Sequence, residues 1–146
     1  MKSFNRWKTA IATCGVLSLL ATPVLAAGGK SLGKESGVVP ATLQEIPGSD
    51  IPQVTLTARA VERIDLQTET VAEKMGQKVV PYASIIYTPD GDVWVYEMRK
   101  ERVFVRTQID VDHIAGNDVF LNAGPALGTS VATYGVAEIY GAEYGL

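Results

Sequence analysis

Cysteine and histidine are nearly missing from this chain: each occurs once in 146 residues, as Cys14 and His113. A disulfide framework needs paired cysteines, and a structural zinc site needs four Cys or His ligands, so neither can be built within one chain. A Cys–His dyad with a third such ligand is equally out of reach, and His113 has no obvious Ser or Cys to serve. Charge of one sign is lacking too. Thirteen Lys and Arg stand against 16 Asp and Glu, a net charge of −3 that offers no basic field for nucleic acid. What is there is ordinary for a folded domain, 47% hydrophobic and 20% charged residues, in a length that suits one domain.

Residues 1–27 read as an export signal. Lys2, Arg6 and Lys8 form a positive start, Ala10 to Leu20 an apolar stretch, and Pro23 a helix break. Val24-Leu25-Ala26 then presents the short side chains that a signal peptidase reads, so cleavage is expected after Ala26 or Ala27. Two other readings compete. Uncleaved, the apolar stretch to Ala27 approaches the ~20 residues of a membrane span. Lipid attachment at Cys14 is the second, although Cys14 sits in the middle of the apolar stretch instead of at its end. Cleavage removes three cations and the only thiol, leaving 10 basic and 16 acidic residues and a net charge of −6. The expected location is periplasmic or otherwise extracytoplasmic, with membrane association as an option.

Residues 28–53 hold five Gly, three Pro and three Ser without apolar periodicity, which predicts a flexible linker. Gly28, Gly33 and Lys34 imitate part of a phosphate-binding loop. Glu35 stands where the magnesium-binding Ser or Thr belongs, and no strand precedes it, which excludes that reading.

From residue 54 the pattern becomes β-rich. Val54 to Thr57 alternates, Thr57 is placed to cap a short helix from Ala58 to Ile64, and Leu66 to Val71 alternates again. Val79 to Tyr87 is rich in β-branched and aromatic residues. Thr88-Pro89-Asp90-Gly91-Asp92 is a turn, because Pro presets φ and Asp-Gly tolerates positive φ. Val93 to Met98 follows, and then a strand from Val103 to Val111. That strand puts Val103, Val105, Thr107, Ile109 and Val111 on one face; Arg102, Phe104, Arg106 and the other face read as mostly solvated. Shorter runs at Val119–Leu121 and Thr129–Tyr134 precede a final turn or helix over Gly135–Tyr140. The prediction is a mainly β domain over residues 54–146, a small barrel or sandwich of about six or seven short strands with one or two short helices.

Few residues offer chemistry. Asp90 and Asp92 lack the further oxygen ligands of a calcium loop and read as turn residues. Asp110, Asp112 and His113 form the one carboxylate–imidazole cluster. Strand parity aims both carboxylates outward, so a metal- or small-ligand-binding module is the alternative function. Met75 and Met98 stand too far apart in sequence to indicate copper or silver capture. Arg99, Lys100, Arg102 and Arg106 gather near one hairpin and could meet an acidic partner or lipid headgroups, although Glu97 and Glu101 interleave with them. Tyr134, Tyr140 and Tyr144 gather at the end of the chain, and Trp94, Tyr96 and Phe104 on adjacent strands, where they serve either core or interface. No set of acid, base and nucleophile is evident; no catalytic, cofactor or metal residue is assigned, and the protein is expected not to be an enzyme.

The order of these segments resembles a known family. Val79-Val80-Pro81-Tyr82-Ala83-Ser84-Ile85-Ile86, the hairpin Pro89-Asp90-Gly91-Asp92, the strand Trp94-Val95-Tyr96, then Phe104-Val105-Arg106 and the turn Ile114-Ala115-Gly116-Asn117 are similar to the membrane-proximal domain of periplasmic adaptor subunits. These are the membrane fusion proteins of tripartite efflux systems. Gly124-Pro125-Ala126-Leu127-Gly128-Thr129-Ser130-Val131 resembles the glycine loop of that domain, and Gly135 to Gly141 its short terminal segment. The resemblance implies a β-barrel domain that docks on an inner-membrane transporter or adaptor subunit, with the membrane surface as a further contact. Seven residues separate Val71 from Val79, where full adaptors carry a lipoyl-like domain and a helical hairpin. The resemblance therefore implies docking without reach to an outer-membrane channel.

Overall fold

A computed structural model describes residues 39–146. The expected signal and the first part of the expected linker lie outside the described residues. The chain runs β1 (Ala41–Gln44), β2 (Gln53–Leu56), α1 (Ala58–Arg63), β3 (Gln67–Thr70), β4 (Ala72–Lys74) and β5 (Gln77–Pro81). A 3₁₀ turn (Tyr82–Ser84) leads to β6 (Ile86–Tyr87), β7 (Val93–Lys100), β8 (Val103–Gln108), β9 (Asp110–Ala115), β10 (Asp118–Ala123), β11 (Ser130–Tyr134) and α2 (Val136–Tyr144). The fold is mainly β, as the sequence predicts, with two short α-helices. Among the described residues there are eleven strands instead of six or seven, in two antiparallel sheets that do not close into a barrel.

The larger sheet has the order β1-β2-β8-β7-β11-β3, with β6 beside the start of β7; the smaller has the order β4-β5-β10-β9. Two runs that alternate as single strands are in fact split between the sheets. Leu66 to Val71 leaves the larger sheet at Val71, which is buried and bonded through both its N–H and C=O to Thr129 and Gly128. Val103 to Val111 crosses at Ile109, also buried, whose N–H donates to the Val93 carbonyl. A third run breaks at Pro81, where the 3₁₀ turn interrupts Val79–Tyr87. Proline ends the ladder there because it has no N–H to offer the next pairing. The stretch expected as linker contains β1, whose four residues pair antiparallel with β2.

Two cores share the larger sheet. On one face Val54, Leu56, Tyr96, Phe104 and Ala132 pack against Ala60 of α1 and Ile139 of α2. On the other, Val95, Ile109 and Val131 pack against Val71, Val80, Val119 and Leu121, largely from the smaller sheet. The β8 face carrying Phe104 is therefore not solvated: Phe104 is fully buried under the helical layer. Amphipathic reading assigns a strand one wet face, and this strand has none over its middle because both faces are covered.

Local signals held where they are local. Thr57 caps α1, its Oγ1 accepting from the Ala60 N–H at 3.1 Å. The Thr88–Asp92 turn closes with Gly91 N–H on the Thr88 carbonyl, and Gly91 has φ 88°. Met75 and Gly76, at φ 53° and 80°, turn β4 directly into β5, as a two-residue hairpin requires.

Candidate functional site

The carboxylate–imidazole cluster lies on β9, an edge of the smaller sheet. Val111 pairs with Leu121 and His113 with Phe120, so Asp112 is an extra, unpaired residue. This bulge breaks strict alternation and brings Asp112 beside its neighbour. The Asp112 carboxylate lies 2.8 Å from His113 Nδ1 and accepts from Gln77 Nε2 at 3.1 Å. These bonds, the one with His113 foremost, hold its pKa below the ordinary value. The imidazole stacks on Phe120, with centroids 4.3 Å apart and an interplanar angle of 8°. Asp112 and His113 meet, but among the described residues no three or more His, Cys, Asp or Glu are grouped to hold a metal ion. Asp90 and Asp92 stand exposed in or beside their turn.

The basic residues do not form one patch. Arg99 pairs with Glu97 at 3.1 Å on one face of the sheet, and Arg102 lies 3.7 Å from Glu101 at the hairpin tip. Arg106 points into the helix-covered face. There its Nη2 lies 3.1 Å from Glu143 Oε1, with side-chain exposures of only 11% and 3%. Tyr96, on β7, donates its hydroxyl to Glu143 Oε2 at 2.5 Å. Burial first, and then this bond, push the Tyr96 phenol far above its ordinary pKa. The Arg106 guanidinium also lies over Trp94, 4.5 Å from the ring centroid, and over Tyr144 at 5.5 Å. Tyr144 in turn packs on Tyr140. This buried group ties the last turn of α2 to the sheet. Glu143 was not foreseen from the sequence. Its only signal is the four-residue spacing from Ile139, which puts both on one helix face.

A second feature is open to solvent. Between α1 and α2 runs an apolar groove of about 350 Å³. Leu56 and Ala60 form its buried base, Ile64 and Ala142 its sides, and Ala41 of β1 borders it. Arg63 and Glu138, both exposed, add one charge of each sign to its lining. None of this groove was anticipated, because it is made of residues from β1, β2 and both helices, far apart in sequence.

No family model matches the chain, and neither a curated protein nor a solved structure matches it. No helix among the described residues is long and apolar enough to cross a membrane.

Proposed function

We propose that this protein is an exported, non-catalytic accessory protein that acts by docking on a membrane transporter or an adaptor subunit. The observation that carries the reading is the open apolar groove and its flanks. Val39 is 63% exposed, Leu43 48% and Leu146 94%, all on or adjoining segments that line the groove. Apolar surface gathered around a concavity and rimmed by charge is what protein contacts cover. The resemblance to adaptor domains supplies the class of partner, and the signal-like residues 1–27 supply the compartment.

Chemical crosslinking in native membranes, followed by mass spectrometry of the tagged chain, tests this. The expected product joins the chain to an inner-membrane transporter or adaptor subunit. A chain recovered alone under every crosslinker, or retained in the cytoplasm with residues 1–27 intact, would sink the proposal.

A further inference from the structure

We propose that the docking surface is the free edge of β1 together with the groove beside it. The occupant is an extended segment of the partner protein, with apolar side chains at alternate positions and a Lys or Arg at one end. This rests on the docking reading above and adds the surface, the binding mode and the chemistry of the bound segment.

The first argument is the backbone. β1 ends the strand order of the larger sheet, and among the described residues only β2 pairs with it. Thr57 N–H donates to the Pro40 carbonyl, and the register pairs Ala41 with Leu56 and Leu43 with Val54. Hydrogen-bonded and non-hydrogen-bonded pairs alternate in an antiparallel ladder, so Pro40, Thr42 and Gln44 face β2. The N–H and C=O groups of Ala41 and Leu43 therefore point outward, ready to pair with an added strand.

The second argument is the side chains. Ala41 lines the groove, and Leu43, two residues on, lies on the same face and is 48% exposed. Alternate side chains of an added strand would fall on this row and beside the groove.

The third is Gly141. Glycine inside a helix lowers its stability relative to alanine. The backbone of Gly141 does not require it, and a Cβ there would meet nothing closer than Leu146, at 3.9 Å. The chain's own packing leaves room for a side chain at this position, and the glycine leaves that space to the groove.

The fourth is charge. Exposed Glu45 and Asp50 lie just beyond the Gln44 end of β1. A partner strand running antiparallel begins there, which places the Lys or Arg at its N-terminal end.

The test uses the full chain in its host membranes. Leu43, Leu146, Tyr87 and Tyr134 are replaced in turn by photoreactive benzoylphenylalanine, and the crosslinked peptides are sequenced by mass spectrometry. Expected is a product from Leu43 and Leu146 to one partner segment of alternating apolar residues preceded by Lys or Arg. Gly141→Leu, which fills the groove, should cut the yield from Leu43 at least tenfold while the melting temperature holds or rises. Leu43→Pro, which removes an outward N–H and leaves the β1–β2 ladder whole, should do the same to the yield from Leu146. Products from Tyr87 or Tyr134 alone would overturn this surface and leave docking standing. Silence at all four positions would overturn both. A product with a second copy of the chain, with a helical segment, or one indifferent to both substitutions would overturn the proposed occupant.

Discussion

Glu143 is a carboxylate that the fold treats as core. Its side chain is 3% exposed and held by Arg106 and Tyr96. Removing one partner from a buried ion pair leaves the other charge uncompensated, so Glu143→Ala should lower unfolding stability by about 3 kcal/mol. Replacing the whole group with apolar side chains of similar size, Tyr96→Phe with Arg106→Met and Glu143→Leu, should restore stability to wild type or above. Urea denaturation of the two proteins measures the contrast. Tyr96 adds a pH dependence. Its folded pKa is raised above the ordinary value of 10.0, so the unfolded chain gives up this proton first. The contribution is intact below about pH 10 and is lost above it, at about 1.4 kcal/mol per pH unit. Alkaline unfolding curves should show a shallower decline in Tyr96→Phe. Among single residues, the Thr57 cap was legible because it acts three positions along the chain. The Arg106–Glu143 pair was not, because nothing in 36 intervening residues marks the two as neighbours.

At the scale of elements, α2 depends on how the chain leaves β11. Gly135 has φ 76°, and a Cβ there would stand 2.9 Å from Ile64 Cδ1 and 3.3 Å from Leu66 Cδ1. Both the left-handed backbone and the close approach require glycine. Gly135→Ala should cost about 1–3 kcal/mol, read as a lower midpoint in thermal unfolding by circular dichroism. Gly141, six residues on, should behave in the opposite way, since its surroundings accept a side chain. Most strands were visible as alternation or β-branched runs, and the hairpin around the Asp-Gly turn, which joins β6 to β7, was the clearest. Their ends were not. Val71 and Ile109 continue the alternation of the strands they follow, so nothing local announces that the chain changes sheets there. The Asp112 bulge is equally silent, yet it decides that Asp112 meets His113.

In the whole described domain, one sheet is the middle layer between two cores. Tyr96 and Val95 are adjacent in β7 and bury themselves on opposite sides. Damage to either core should therefore reach the other. Phe104→Ala and Leu121→Ala, one in each core, should each cost about 3 kcal/mol and each shift a single cooperative transition. Calorimetry with two resolved transitions, one sensitive to each substitution, would refute this shared middle layer. The proposed docking belongs to the same scale, because the groove exists only once α1 and α2 lie side by side on this sheet.

Sequence alone determined the β-rich class, the capped helix, the turns and the near-absence of cysteine and histidine. Each follows from backbone preference or composition, which act within a few residues. Tertiary structure decided that Phe104 and Arg106 lie under a helix, that Glu143 is buried, and that β1, paired among the described residues with β2 alone, runs beside an apolar groove. These depend on which segments meet across the fold, and burial, pairing and desolvation act through space, not along the chain.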